Sequence, residues 1–230
     1  MRVVLLSDAH ADGPADPVQA RLVAFLADLE ADRVVLLGDV FHRWWEVRGR
    51  PFPAYDAVVA ALAALAARGT AVHLVTGNHD FAPAPTLERL PGVTRSGPVT
   101  LDLDGRRAAL AHGDAADRGA GVVGLRRVLG SRAFDLALQA AGPALAWRIL
   151  GRLAGPAAQP GEPPAARLAA QRAYAESRIR EGADLVVLGH LHRPRVEALA
   201  GGTLASPGAF RDGGAHLVLE DGIPRLARAG

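Results

Sequence analysis

The sequence contains no cysteine among its 230 residues. Disulfide bonds and thiolate metal sites are therefore excluded, and a metal ion can be held only by histidine, aspartate, glutamate or asparagine side chains. Lysine is absent as well, so all 26 basic residues are arginine. Aromatic residues make up only 5 % of the chain, too few to indicate stacking on nucleic-acid bases. We therefore expect no nucleic-acid partner.

Long apolar runs are also missing, although half of the residues are hydrophobic. No stretch approaches the ~20 consecutive apolar residues that a membrane-spanning helix needs. The apolar run that follows Met1-Arg2 is too short for the hydrophobic core of a signal peptide, and no cleavage site follows it. These observations predict a cytoplasmic protein, and the length fits one domain over residues 1–230.

Short apolar runs alternate with helical periodicity along the chain. Buried strands are predicted at residues 2–6, 33–37, 71–75 and 184–188, helices at 17–29 and 53–68, and hairpin turns at 104–105, 201–202 and 221–222. Strands that are apolar on both faces are typical of a sheet covered by helices. The predicted fold class is therefore mixed α/β (α+β).

Residues 119–181 are mostly helical by pattern, with breaks at 142–143 and 155–164. Because this block separates two groups of strands, we interpret residues 117–181 as an inserted helical cap, or lid. Residues 117–180 of the cap contain ten arginines but only four acidic residues, and apolar residues lie between them. Such a lid can hold acyl chains while its arginines contact phosphates or anionic headgroups. Ordinary amphipathic helices, with arginine on the solvent face, are the alternative interpretation.

Polar motifs follow the predicted strands at their C-terminal ends. They are Ser7-Asp8-Ala9-His10, Gly38-Asp39, Gly77-Asn78-His79-Asp80, His112-Gly113-Asp114 and Gly189-His190-Leu191-His192. Ligands gather at the carboxyl ends of strands in open α/β sheets, so the five motifs are expected to converge. A carboxylate can bridge two divalent cations while imidazoles and an amide oxygen complete the site. Buried aspartate and histidine are costly unless they are paired or metal-bound, so the joint pattern favours a dinuclear metal site over core packing.

The ordered set D-x-H, G-D, G-N-H-D, H-G-D and G-H-x-H resembles the signature of the calcineurin-like metallophosphoesterase superfamily. The resemblance implies a β-sandwich flanked by helices, with the inserted helical cap. It also implies two divalent metal ions, with Mn²⁺ expected by family likeness and Fe or Zn equally compatible with the donors. One ion would be held by Asp8, His10, Asp39 and His192, and the other by Asp39, Asn78, His112 and His190. Asp39 would bridge the two ions, His79 would face the leaving group, and Asp80 would orient the ring of His79.

Within the superfamily, the chain is similar to the UDP-2,3-diacylglucosamine hydrolases of lipid A synthesis. Residues 38–45, 77–81 and 189–194 carry this likeness, together with a helical insertion after residues 112–114. The resemblance implies a hydrolase in which a metal-bridging hydroxide attacks the UDP pyrophosphate. The products would be UMP and 2,3-diacylglucosamine 1-phosphate. Peripheral contact with the inner face of the membrane would follow from such a substrate.

Candidate substrate-binding residues come from the cap and from an aromatic pair. They are Arg118, Arg126, Arg127, Trp44, Trp45 and Trp147. The arginines would meet phosphates and the tryptophans would form a wall of the acyl or nucleotide pocket. Core packing is the alternative for the tryptophans.

Two positions depart from the lipid A enzymes, which usually carry arginine in place of His79 and aspartate in place of His42. A pyrophosphate releases a phosphate monoester that hardly needs a proton, whereas a simple diester releases an alkoxide that needs a general acid. Histidine supplies such an acid near neutrality. The second hypothesis is therefore a general phosphodiesterase or phosphatase acting on a soluble nucleotide or phosphodiester, with His79 as the acid.

The motif pattern also bears on whether the fold is catalytic and on the roles of the remaining histidines. A catalytically inactive binding or scaffold protein is disfavoured, because every expected ligand position is filled. His73 and His216 lie within predicted strands and are interpreted as structural. His42 follows Asp39 in the loop and could approach substrate, but it is interpreted as an ordinary loop residue.

Overall fold

Two β-sheets packed face to face form the body of the protein in the computed structural model, which describes residues 1–117, 128–129, 131–153 and 162–229. The strands are β1 (Val3–Leu6), β2 (Arg33–Leu37), β3 (Glu46–Val47), β4 (Arg50–Pro51), β5 (Ala71–Val75), β6 (Val93–Ser96), β7 (Val99–Leu103), β8 (Arg106–Ala111), β9 (Leu185–Leu188), β10 (Arg195–Leu199), β11 (Gly202–Ser206), β12 (Ala215–Glu220) and β13 (Ile223–Arg228). The helices are α1 (Pro17–Asp28), α2 (Asp56–Ala67), α3 (Pro85–Glu88), α4 (Arg132–Ala141), α5 (Pro143–Leu153) and α6 (Ala165–Arg180). The mixed α/β class predicted from the sequence is confirmed.

The first sheet has six strands in the order β13-β12-β1-β2-β5-β6, and the second has five in the order β10-β11-β9-β8-β7. Strands β1, β2, β5 and β6 run parallel, as do β8, β9 and β11. The predicted hairpins at 104–105, 201–202 and 221–222 join β7 to β8, β10 to β11 and β12 to β13. Parallel neighbours end at the same edge of a sheet, so their following loops lie side by side.

Alternating side chains of β1 point to two different cores. Val4 and Leu6 belong to the core beneath α1 and α2, whereas Val3 and Leu5 belong to the core between the two sheets. Successive residues of a strand face opposite sides, so a strand between two apolar layers must be apolar throughout. This explains the uninterrupted apolar runs that precede the polar motifs.

Helix α1 begins at Asp16, whose Oδ1 accepts a hydrogen bond from the backbone N–H of Val18 at 3.0 Å. Pro17 occupies the first turn, where a missing N–H costs nothing. The predicted start of this helix is therefore confirmed. It could be predicted because an aspartate N-cap followed by proline is a common signal for the start of a helix.

Helix α6 covers the outer face of the second sheet, because Ala175 packs there with Ala109, Val186 and Leu204. The prediction placed this helix in the cap. The structure corrects that boundary, since the C-terminal part of residues 117–181 is a layer of the main body. The order of layers is thus helices, sheet, sheet and helix.

Helices α4 and α5 pack on the small β3–β4 hairpin, which the sequence analysis did not predict. Leu138, Ala146 and Leu150 of these helices form a buried cluster with Trp45 and Val47. The side chain of Gln139 also accepts a hydrogen bond from the N–H of Arg48 and donates one to the carbonyl of Glu46. These contacts attach the described part of the cap to the loop that follows β2.

None of the helices within the described ranges combines the length and the apolar content that crossing a bilayer requires.

Candidate metal centre

The loops that follow β1, β2, β5, β8 and β9 carry the five polar motifs to one edge of the sandwich. The backbone N–H of Asp8 donates to the carbonyl of Gly38 at 3.1 Å, and the N–H of His10 donates to the carbonyl of Asp39 at 2.9 Å. The backbone N–H of His190 donates to Asp8 Oδ2 at 2.9 Å, which ties the second sheet to the first. The predicted convergence of the motifs is therefore present in the structure.

The backbone of these loops is strained at the candidate ligands. Asp8, His10, Asp39, His190 and His192 all have positive φ, between 48° and 71°. This left-handed region is unfavourable for residues other than glycine, by roughly 1–2 kcal/mol each. Strain of this kind persists where the surrounding fold enforces it and is concentrated at functional sites.

Glycine is required at position 189 because the chain passes directly over the first motif. A Cβ atom there would lie 2.8 Å from the side chain of Ser7 and 2.9 Å from Asp8 Oδ2. Only glycine allows so close an approach. The glycine that precedes His190 is therefore required by sterics where the two loops cross.

Two buried carboxylates form the middle of the centre, and imidazoles surround them. Asp39 Oδ2 lies 3.3 Å from His112 Nε2 and 3.8 Å from His10 Nε2. Asp8 Oδ1 lies 3.3 Å from His192 Nε2 and 3.9 Å from His10 Nε2. Three triads could each hold a metal ion, since their ligand atoms lie within 4.8 Å of one another: Asp8, His10 and His192; Asp8, Asp39 and His112; and His10, His42 and His79.

Asn78 and His190 complete the predicted set on the side of His112. Asn78 Oδ1 lies 3.0 Å from His112 Nε2, and the ring centroids of His112 and His190 are 5.0 Å apart. His190 Nε2 lies 3.0 Å from Nη2 of Arg167, which donates the hydrogen bond. All seven predicted ligands therefore lie around one centre.

Burial and mutual charge set the protonation of the centre. Burial alone would lower the pKa of His112, but Asp39 and Asp8 outweigh it and raise the pKa to about 10. Burial acts to raise the pKa of Asp39, yet His112 holds it far below its usual range. Burial lowers the pKa of His10 to about 4, against the opposing effect of Asp39 and Asp8. The two carboxylates thus remain ionised and require positive charge beside them.

The donor set fits divalent metal ions. Oδ1 of Asp8 is buried and, within the described part of the chain, has no hydrogen-bond partner. A buried carboxylate oxygen without a partner is costly, and coordination of a cation would satisfy it. Oxygen and imidazole donors in the absence of thiolates suit Mn, Fe or Zn.

A cleft of about 270 Å³ opens over the centre. The residues that line it are His10, Asp39, Asn78, His79, Glu162, Pro163, Pro164, Arg167, His190, Leu191 and His192. The floor consists of candidate ligands, and one wall is the start of α6. This geometry gives a substrate direct access to the metal positions.

His79 lies at the cleft with its ring held in one orientation. Its Nδ1 donates to the carbonyl of His42 at 2.7 Å, so Nε2 is the ring nitrogen left to act on a substrate. The ring of His42 stacks on it with centroids 5.4 Å apart. His42 is only 3 % exposed, so it is a buried member of this loop, in contact with the ring of His79. Its position three residues after Asp39, in the same loop, is the signal that could have identified it.

Asp80 does not take the predicted role of orienting the ring of His79, because the carbonyl of His42 occupies the ring nitrogen. The carboxylate of Asp80 instead accepts backbone hydrogen bonds from Gly77 at 2.7 Å and from Val40 at 2.9 Å. Asp80 therefore ties together the two loops that carry Asp39 and Asn78.

The candidate substrate-binding residues separate into three groups. Trp44 is 1 % exposed and packs on Phe41 and Tyr55 in the core, which corrects the prediction that it binds substrate. Trp45 and Trp147 line a cavity of about 260 Å³. The arginines at 118, 126 and 127 lie outside the described residues.

Two further histidines lie on strands as predicted. His73 on β5 is hydrogen-bonded to Ser96 Oγ at 2.8 Å, and His216 on β12 to the carbonyl of Gly214 at 2.9 Å. Neither lines the cleft, which agrees with a structural role.

Comparison with known proteins places this fold and site in a family. A family model described as calcineurin-like phosphoesterase matches residues 1–194. The chain belongs to the calcineurin-like phosphoesterase family, and this membership places it among metal-dependent hydrolases.

Several relatives are named UDP-2,3-diacylglucosamine hydrolase. The protein of that name from Ralstonia nicotianae (strain ATCC BAA-1114 / GMI1000) is 32 % identical over 244 residues, which cover 96 % of this chain and 90 % of the relative. The one from Aeromonas salmonicida (strain A449) is 35 % identical over 117 residues, which cover 50 % of this chain and 46 % of the relative. The chain thus spans about half the length of several of the curated relatives it matches.

A solved structure described as a novel archaeal phosphodiesterase aligns with the whole chain at 13 % identity and a TM-score of 0.54. This likeness supports the fold alone.

Proposed function

We propose that this protein hydrolyses the pyrophosphate of UDP-2,3-diacylglucosamine to UMP and 2,3-diacylglucosamine 1-phosphate. The observation that carries the proposal is the convergence of seven candidate ligands beneath a cleft, in a chain that is 32 % identical over 96 % of its length to a relative of that name. The overall reaction adds water across one P–O bond, so that one phosphorus receives the hydroxyl and the bridging oxygen leaves with the other phosphate.

In this proposal Asp8, His10, Asp39 and His192 would hold one divalent ion, and Asp39, Asn78, His112 and His190 would hold the other. Asp39 would serve both sets, which agrees with its contacts to both His10 and His112. When bound, two such ions lower the pKa of bound water and neutralise charge on a phosphoryl oxygen. Mn²⁺ is proposed from family likeness.

Besides the metal ligands, His79 is the residue that we propose to act on the leaving group. Hydrogen bonding of Nδ1 to the carbonyl of His42 fixes the ring and leaves Nε2 to face the cleft. Next to a departing phosphate, an imidazolium at this position stabilises the developing charge. Next to a departing alkoxide, the same nitrogen would donate a proton.

A cavity with four apolar and two charged lining residues supports a lipid substrate. Trp45, Phe52, Trp147 and Leu150 form its walls. Arg43 and Asp12, which line the same cavity, form an ion pair at 2.7 Å and follow His42 and His10 closely in the sequence. An acyl chain held against these aromatic walls would therefore lie next to the metal positions.

The described cap helices support the further proposal of peripheral membrane contact. Leu136 on α4 and Leu145 on α5 are 58 % and 49 % exposed, and Arg132 and Arg148 lie on the same two helices. Exposed leucines together with arginine on amphipathic helices favour the interface of an anionic membrane.

The test is an assay of purified, Mn²⁺-loaded protein on UDP-2,3-diacylglucosamine, with release of UMP as the readout. We expect UMP from the wild-type protein and none from Asp39→Asn, because the shared carboxylate is lost. Bis(4-nitrophenyl) phosphate serves as a soluble aryl diester. Rapid turnover of this diester without any UMP would refute the lipid assignment and favour the general phosphodiesterase, whose supporting observation is the oriented ring of His79.

A further inference from the structure

Arg167 lies beside the candidate metal centre, at a position where an arginine does not stabilise its helix. It lies in the first turn of α6, which has no acidic residue in that turn. The positive end of the helix dipole disfavours a cation at this position. The backbone N–H of Arg167 donates to the carbonyl of Pro164 at 2.9 Å, and the residue lines the wall of the cleft. Since Arg167 does not stabilise the start of α6, we look for its role in the cleft over the metal centre.

The contact with Arg167 determines which ring nitrogen of His190 carries the proton. A guanidinium has only donors, so His190 Nε2 must present its lone pair to Nη2 of Arg167 at 3.0 Å. In a neutral ring the proton is then on Nδ1. The same tautomer offers Nε2 to a metal ion, yet one lone pair cannot accept the guanidinium and coordinate a cation at once.

We infer that Arg167 is a phosphate-binding residue that exchanges partners, so that coordination of His190 Nε2 by a metal ion directs its guanidinium to a phosphoryl oxygen of the substrate. The side chain already lines the cleft with His79, Asn78 and His190, where a phosphoryl group must lie to reach the ligands. Guanidinium groups bind phosphate through paired, charge-assisted hydrogen bonds. This inference rests on the proposed role of His190 as a ligand and names the residue that couples metal loading to phosphate binding.

The experiment uses Arg167→Ala with Arg172→Ala as the matched control. Arg172 is on the same helix but forms surface ion pairs with Glu176 and Glu197, and it does not line the cleft. Metal-depleted proteins are titrated with Mn²⁺ by calorimetry, and the Mn²⁺-loaded proteins are then titrated with inorganic phosphate. Circular dichroism checks that both variants are folded.

We expect Arg167→Ala to bind Mn²⁺ about tenfold more tightly at one of two sites, because a competing donor is removed, and to bind phosphate about tenfold more weakly. Arg172→Ala should match the wild type in both titrations. Equal behaviour of the two variants in either titration overturns the inference, and so does weaker Mn²⁺ binding by Arg167→Ala.

The ligand assignment is tested separately. His190→Ala should bind one Mn²⁺ fewer than the wild type, and an unchanged stoichiometry would refute the assignment of His190. Neither titration involves a lipid, so failure of the lipid assay and failure of this inference are distinguishable.

Discussion

At the scale of single residues, His79 reports on the leaving group. The carbonyl of His42 holds its Nδ1, so a backbone carbonyl, and not the carboxylate of Asp80, orients the ring. Proton donation by such a ring matters for an alkoxide and matters little for a phosphate that leaves as a stable anion. The identity of the substrate can therefore be read from the effect of removing this one side chain.

We predict that His79→Ala lowers kcat for an alkyl phosphodiester by roughly 10²–10⁴-fold, the usual contribution of a general acid. Turnover of the lipid pyrophosphate should fall about tenfold or less, because its leaving group needs no proton. The comparison is made on one preparation at saturating Mn²⁺, with His73→Ala as a control that lies outside the cleft. Equal losses on both substrates would contradict the leaving-group argument.

The protonation of His112 gives a second prediction at the residue scale. Its pKa is raised from 6.5 to about 10 by Asp39 and Asp8, against the effect of burial. A raised pKa stabilises the folded state fully below 6.5, and this stability is lost as the pH rises through 10. A metal ion on His112 would replace the proton and remove this dependence.

Metal-depleted protein should therefore lose free energy of unfolding as the pH rises from 6 to 9, whereas Mn²⁺-loaded protein should not lose this contribution. Urea unfolding followed by tryptophan fluorescence, with and without Mn²⁺, measures the difference. Parallel pH profiles for the two forms would show that His112 carries no metal.

At the scale of elements, the cavity between the cap and the body depends on α5 and the β3–β4 hairpin. Trp147 of α5 faces Phe52 with ring centroids 5.1 Å apart, and Trp45 packs against Phe81 and Phe134. The hairpin follows the loop that carries Asp39, so its position is coupled to the metal centre through a short stretch of backbone.

We predict that Trp147→Ala raises KM for the lipid substrate about tenfold and leaves kcat/KM for a soluble aryl diester within about twofold. Burial of an aromatic side chain against an acyl chain is worth roughly 1.5–3 kcal/mol, and the diester does not use this surface. Arg152→Ala, a change at an exposed residue of the same helix, is the matched control for helix integrity. An equal loss of kcat/KM for both substrates would show that Trp147 supports the fold and does not bind the acyl chain.

At the scale of the whole molecule, the two sheets explain which predictions of the fold were confirmed. The seven candidate ligands were predicted from their types and order, because metal chemistry restricts the residues that can occupy such positions, and their binding of metal stays a prediction. Asn78 is the only asparagine in the chain, and it lies at the centre. The strands before the motifs were also predictable, because both faces of each are buried and the apolar runs are therefore continuous.

Short and contact-dependent elements escaped prediction. The β3–β4 hairpin has strands of two residues, too few for a periodic pattern, and it is fixed by contacts with α4 and α5. The assignment of α6 to the body depends on Ala175 packing against the second sheet, and an alanine-rich helix does not reveal its partner by periodicity.

The sequence by itself determined the chemistry of this protein: a cysteine-free set of carboxylate, imidazole and amide donors at strand ends, suited to two divalent ions. Only the tertiary structure decided which side chains and backbone groups contact one another. It placed the carbonyl of His42 on His79, moved Trp44 into the core and brought Arg167 to His190. Residue types are constrained by the ions they bind, whereas partners far apart in sequence are chosen by the packing of the two sheets and their loops.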